Sequence, residues 1–260
     1  MKYTPHKITA IVTTYNEDEN IAKCLNSINW ADEILVVDSF STDNTVAICE
    51  KFGAKVLHRE YKYGADQKNW AIPQAKHSWI VLLDADEVFE PEIEHELKRV
   101  LKSGATYSAY WVRRKNFFLG KKIRFCGWQN DRVIRFFKRD LHRYIDKMVH
   151  EEIEQNQKMG KLKSKIYHYT AKNFEDYCNR IDRYAGYAAQ EYIKSNKRIN
   201  WFHLYVKPAY KFFYSYIIRG GFLDGKTGWI ICKLRTRETW LKAHKTIRNK
   251  DYKWKSQRFV

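Results

Sequence analysis

Two hydrophobic periodicities alternate along the first hundred residues. Ile8–Thr14 is a continuous apolar, β-prone run, and Asn16-Glu17-Asp18-Glu19 then supplies a capping residue and an acidic first turn, which predicts a helix to about residue 27. Ile34-Leu35-Val36-Val37-Asp38 reads as a second buried strand, followed by a helix over residues 45–52 that stops at Gly53. Lys55–His58 is a short third strand, residues 67–75 a helix, and residues 79–83 a fourth strand running into Asp84-Ala85-Asp86-Glu87. Pro91 opens a helix to about Lys102. Strands that alternate with helices imply a parallel sheet, because parallel neighbours need a crossover over one face. The pattern changes after residue 105: residues 107–114 and 132–138 alternate like antiparallel strands around a turn at Gly120, residues 149–154 and 165–169 suggest further short strands, and helices dominate from Asn173. The expected organisation is an α/β domain over residues 1–172 followed by a helical region over 173–260.

Charge divides the 260-residue chain in the same way. Residues 1–100 carry a net charge of −6 and residues 101–260 a net +24. The rear of the chain therefore attracts polyanions: nucleic acid, phosphorylated sugars or an anionic lipid leaflet. With 44% hydrophobic and 16% aromatic residues the chain can bury a substantial core. Its longest uncharged stretch, residues 103–112, falls well short of the roughly 20 needed to span a bilayer. The first residues lack a signal-peptide pattern, so a cytoplasmic location is expected. Five scattered cysteines with no C-x-x-C pair read as reduced thiols.

In an open parallel sheet, ligands bind beyond the carboxyl ends of the strands. That rule brings Thr13-Thr14-Tyr15-Asn16, Asp38-Ser39 and Asp84-Ala85-Asp86 to one rim. Carboxylates two apart in a loop present oxygens to Mg²⁺ or Mn²⁺, hard cations that neutralise a departing diphosphate. A competing pattern, Gly220-Gly221-Phe222-Leu223-Asp224-Gly225-Lys226-Thr227, satisfies the phosphate-loop expression of NTPases. It lacks the strand context, and Asp224 would set a carboxylate among the phosphates. Nucleic-acid binding has the basic charge and interleaved aromatics in its favour but no RRM, KH or zinc-finger signature, so it is not expected.

Thr-Thr-Tyr-Asn-Glu (13–17), Val-Val-Asp-Ser-Phe-Ser-Thr-Asp-Asn-Thr (36–45) and Leu-Leu-Asp-Ala-Asp-Glu (82–87) resemble family 2 glycosyltransferases of the GT-A fold. The likeness extends through Gly64–Asn69, Arg114–Gly120, Gly127-Trp128, Val149-His150-Glu151 and Gly221–Gly225. These later motifs look like the branch containing lipopolysaccharide core β-1,4-glucosyltransferases, which act on a heptose. The resemblance implies a Rossmann-like nucleotide-sugar-binding domain with a mixed central sheet and a helical C-terminal region. It also implies a UDP-sugar donor, UDP-glucose by the branch, a divalent cation, and a lipid-linked core oligosaccharide acceptor. Carried over by position, Thr13, Tyr15 and Glu17 shape the nucleoside pocket and Asp38 accepts from the uracil N3–H. Lys68 faces the diphosphate or donor sugar. Asp86 is the main metal ligand, Asp84 touches ribose or a metal-bound water, and His150 completes the site. Asp131 is the expected catalytic base and Glu151 the reserve, with an ion pair from Asp131 to Arg132 or Arg135 as the structural alternative. The same fold could serve a peptide side chain as acceptor.

Residues 200–219 are aromatic-rich and interrupted by lysine and arginine. That composition suits a bilayer interface or a helix packed under the α/β domain. The first reading makes the protein peripheral on the cytoplasmic face of the inner membrane, held to an anionic surface.

Overall fold

The computed structural model describes residues 6–149, 151–155 and 157–256. Packing divides the chain into two compact units: residues up to Lys115 together with Asn130–Tyr169, and Asn116–Gln129 together with Thr170 onward. The sequence pattern alone places the division after residue 172.

In the first unit the strands are β1 (Ile8–Thr14), β2 (Glu33–Asp38), β3 (Lys55–His58), β4 (Trp79–Asp84), β5 (Glu87–Phe89), β6 (Ala109–Phe118, whose last residues belong to the second unit), β8 (Arg132–Lys138) and β9 (Gly160–Tyr169). The helices are α1 (Ile21–Asn26), α2 (Thr45–Lys51), α3 (Gly64–Ala71) and α4 (Ile93–Lys102). Strand order is β3-β2-β1-β4-β8-β6-β9-β5. The first four run parallel, and from β4 onward the pairings β4–β8, β8–β6 and β9–β5 are antiparallel. The mixed α/β sheet expected from the sequence is therefore present. Strand parity sorts the core into two layers: Ala10, Val12, Val36, Val81 and Leu83 face one way, Ile11, Leu35, Val37, Ile80 and Leu82 the other. Rows buried on both faces explain why β1, β2 and β4 read as uninterrupted apolar runs.

The structure departs from the sequence expectations at two places. The first helix starts at Ile21, not near residue 16, because the preceding backbone is tied sideways: Asn16 N–H donates to Ser41 Oγ (2.9 Å) and Glu17 N–H to Thr45 Oγ1 (2.8 Å). Among the described residues of 149–154, Ile153 makes an isolated bridge with Tyr144, flanked by Ile145 N–H to the Glu152 carbonyl (2.8 Å) and Glu154 N–H to the Arg143 carbonyl (3.1 Å). The Asn69 amide pairs separately with the Tyr144 backbone, accepting from its N–H at 2.8 Å and donating to its carbonyl at 2.9 Å.

The second unit holds β7 (Lys121–Lys122), paired with the end of β6, and helices α5 (Phe174–Lys194), α6 (Lys207–Phe213) and α7 (Gly225–Ser256). Asn173 caps α5 by accepting from Asp176 N–H at 2.8 Å. Turns of π-helix, Phe202–Val206 and Tyr214–Ile218, flank α6. Phe118, Ile123, Cys126, Tyr177, Ile181, Ile231 and Cys232 form its core. The phosphate-loop pattern lies in a tight turn between two helical segments, and Asp224 spends its carboxylate on the N–H groups of Arg124 (3.2 Å) and Phe125 (2.8 Å). A phosphate loop needs a strand before it, so the pattern is fortuitous here. All five cysteines are free thiols.

Candidate functional site

The carboxyl ends of β1, β2 and β4 meet in register in the first unit. Thr13 lies beside Asp84, and Thr14 beside Asp38. Thr13 Oγ1 donates to Asp84 Oδ1 at 3.1 Å, so this hydroxyl orients a carboxylate. Tyr15 is 53% exposed at the rim. Glu17 braces the turn by accepting from the Asn20 amide at 2.9 Å. Asp38 is fully buried at the end of β2 and accepts from Ser41 N–H (2.9 Å) and Ser41 Oγ (2.5 Å), with His58 Nδ1 3.3 Å away. Phe40, at φ +62° and 59% exposed, stacks on the His58 ring at 5.6 Å. The result is a carboxylate beside a flat aromatic platform.

Asp84 is the centre of an ion-pair network. Lys68 Nζ lies 2.8 Å from its Oδ1 and also pairs with Glu151. The Arg135 guanidinium bridges Asp84 and Glu87, lying 2.8 Å from Glu87 Oε2, while Arg114 pairs with Glu87 at 2.5 Å and approaches Asp84 at 3.7 Å. Glu87 is fully buried and also accepts from Asp84 N–H at 3.1 Å. Burial opposes the charge on Asp84, but Arg135, then Lys68, then Arg114 outweigh it and hold its carboxyl well below the usual carboxylate range. Burial likewise opposes the Lys68 ammonium, and Asp84 and Glu151 overcome it and push its pKa up. Lys68 also sits over the Tyr144 ring at 5.5 Å.

Asp86 follows two residues on. His168 Nε2 is 3.4 Å from its Oδ2, because β5–β9 pairing sets Glu87 opposite His168. The carboxylate oxygen suits Mg²⁺ or Mn²⁺, and an imidazole nitrogen beside it is a ligand Mn²⁺ accepts more readily than Mg²⁺, provided diphosphate oxygens and water complete the shell. Asp84, already paired with three cations, is the poorer ligand. Among the described residues no group of three or more His, Cys, Asp or Glu side chains gathers to hold a metal, so the fit is to a two-residue anchor. The predicted ligand His150 lies outside the described residues.

The two candidate bases occupy different surroundings. Asp131 precedes β8; its carbonyl accepts from Arg114 N–H at 3.0 Å and its carboxylate lies 4.0 Å from the Arg114 guanidinium. The neighbours named in the structural alternative are engaged elsewhere, Arg132 over the Trp111 ring at 4.7 Å and Arg135 on Asp84 and Glu87. Glu151 is held by Lys68 and packs directly over Gly64, where a Cβ would run into its carboxylate. Gly64→Ala is therefore expected to dislodge Glu151 and cost about 1–3 kcal/mol of stability as an overpacked site. An unchanged denaturation midpoint would show that Glu151 is not seated there.

Arg114, Arg135, Glu87, Tyr144, His58 and His168 were absent from the expected site residues. Two of them carried a sequence signal. Arg135 interrupts the buried run Ile134–Phe137, and a charge in a buried strand demands a carboxylate partner. His168 shares parity with Leu162 and Ile166, which places it at the end of the inward row of β9.

The pattern described as Glycosyl transferase family 2 matches residues 9–179. Among curated proteins the chain is similar to an uncharacterized glycosyltransferase of Rickettsia felis, 27% identical over 274 residues that cover 97% of each chain. It is also similar to the lipopolysaccharide core biosynthesis glycosyltransferase LpsC of Rhizobium meliloti, 24% identical over 235 residues, covering 85% of this chain and 87% of that one. Among solved structures, glucosyl-3-phosphoglycerate synthase from Mycobacterium tuberculosis, in complex with Mn²⁺, UDP and glucosyl-3-phosphoglycerate, aligns with a TM-score of 0.41 and 20% identity over 52% of this chain and 58% of that one.

Proposed function

Since the chain belongs to glycosyltransferase family 2, we propose that it moves a hexose, glucose from UDP-glucose, onto a heptose of a lipid-linked lipopolysaccharide core at the cytoplasmic face of the inner membrane. The observation that carries the donor half is the single rim that holds buried Asp38, its aromatic platform, Lys68 and the Asp84–Asp86 pair. The similarity to a relative named for core biosynthesis supports the acceptor half.

Each residue then has a task. Asp38 accepts a hydrogen bond from the base, and Phe40 with His58 offers a face on which the base stacks. Lys68, now shared by Asp84 and Glu151, turns part of its charge to the diphosphate. A divalent cation, when bound at Asp86 with His168 beside it, supplies neutralisation of the charge on the leaving diphosphate. Asp131 takes the proton of the acceptor hydroxyl as its oxygen bonds to the anomeric carbon and the bond from that carbon to the diphosphate breaks. This single displacement inverts the anomeric configuration.

Calorimetric titration of UDP with Mn²⁺ tests the reading. Wild type is expected to bind, and Asp38→Ala to bind on the order of tenfold more weakly, the value of one hydrogen bond to a charged group. Absence of UDP binding to the wild type would overturn the donor assignment.

A further inference from the structure

The helical unit leaves a long aromatic face uncovered. Over residues 201–218, Trp201 and Tyr205 are each 67% exposed, Tyr210 61% and Ile218 60%, with Phe213 and Ile217 also open to solvent. Spacings of three and four residues align 202, 206, 210, 213 and 217 as one stripe along the helical run. A core helix would have hidden this stripe. A groove of about 460 Å³ separates α6 from α7; its apolar walls are Pro208, Phe212, Trp229 and Trp240, and Lys233 and Arg237 line it as well. The Lys233 ammonium lies 5.7 Å from the Trp229 ring centre.

Charge identifies the occupant. From Lys194 to Lys226 there are seven lysines and arginines and one carboxylate, Asp224. Asp224 accepts from the backbone N–H groups of Arg124 and Phe125, and one carboxylate among seven cations leaves the face strongly positive. On α7, Glu238 is paired with Lys242 at 2.7 Å. A second copy of the chain would set this positive face against itself. A single-stranded nucleic acid would use flat rings for stacking and gain nothing from the branched Val206, Ile217, Ile218 and Leu223, all exposed here. Amphipathic rings, branched aliphatics and an excess of lysines and arginines together match the headgroup layer of an anionic membrane. Among the described residues no helix is long and apolar enough to cross a membrane.

We propose that residues 201–223, with the α6–α7 groove, form a docking surface that lies on an anionic lipid bilayer. The surface stands on the helical unit alone and holds whichever sugar and acceptor the first unit uses.

The test is sedimentation of the full chain with phosphatidylcholine vesicles, with and without phosphatidylglycerol. Binding is expected to the mixed vesicles and to fall about tenfold as salt shortens the screening length. The triple variant Trp201→Ser, Tyr205→Ser, Tyr210→Ser is expected to weaken vesicle binding at least as much, with an unchanged melting temperature as proof of folding. No binding to anionic vesicles, or equal binding to phosphatidylcholine alone, would overturn the proposal. So would a variant that loses only self-association or RNA binding. UDP titration of the same samples reads the donor site separately, so failure of one assignment leaves the other visible.

Discussion

Asp86→Ala is expected to lower turnover on the order of 10³-fold and to remove the Mn²⁺ dependence of UDP binding, with little change in stability. The size follows from losing the carboxylate that anchors charge neutralisation at a leaving diphosphate, a contribution of several kcal/mol to a transition state. The fold should tolerate the change, because the backbone link at this position, Tyr169 N–H to the Asp86 carbonyl at 2.9 Å, does not involve the side chain. Replacing His168 by alanine should have a smaller effect of the same sign, since an imidazole is one neutral ligand beside a charged one. Steady-state rates with a nucleotide-sugar panel and parallel UDP calorimetry provide the check. Near-normal turnover in Asp86→Ala would sink the metal-anchoring role and leave Asp84 as the only carboxylate of the pair able to take it.

The largest stability effect is expected at Arg135. Arg135 is 2% exposed, and its guanidinium bridges two carboxylates, one of them the fully buried Glu87. Arg135→Met keeps the bulk and removes the charge, leaving Glu87 with Arg114 alone. Breaking a buried pair from one side costs about 3–5 kcal/mol because the remaining charge stays desolvated. For a chain of this size that corresponds to a fall on the order of 10 °C in melting temperature. A shift within about 1 °C would show that the network is electrostatically neutral to folding. Acid sensitivity gives a second reading. Asp84 has a folded pKa depressed below its unfolded value near 3.9, so it contributes stability that is full above that value and is lost as pH falls through the folded pKa. With Arg135 gone the depression shrinks, and the acid unfolding midpoint should move to higher pH. Lys68, whose folded pKa is raised, behaves in the opposite sense: its contribution is full below about pH 10.4 and fades as pH rises further.

The parallel half of the sheet was legible because its strands are buried on both faces and its crossovers end in readable stops such as Gly53. The rim followed from the strand ends, which is why Thr13, Asp38 and Asp84 could be placed together before any coordinates. What the chain concealed lies in the antiparallel half. Nothing in the local pattern around Arg114 says that it turns toward Glu87, 27 residues earlier. Residues 149–154 carry a strand's composition, yet among the described residues there only Ile153 makes a ladder contact, an isolated bridge to Tyr144. The aromatic run at 200–219 is equally compatible with core and surface by composition, and its residues divide: Phe212 and Tyr216 pack on the second unit's core while Trp201, Tyr205 and Tyr210 are exposed.

The switch from parallel to antiparallel pairing at β4 also dictates an order of assembly. A chain leaving the ribosome presents Asp84 and Glu87 before either Arg114 or Arg135 exists, and β4 then has an open edge where β8 will later pair. A partial domain of β1 to β5 would have to bury Glu87 without its guanidiniums, so it cannot finish its core. Completion waits for three later strands: β6 brings Arg114, β8 brings the missing edge together with Arg135, and β9 pairs β5. Between those two moments the nascent protein exposes an apolar strand edge next to a Glu87 that lacks its guanidiniums, an arrangement open to misassembly.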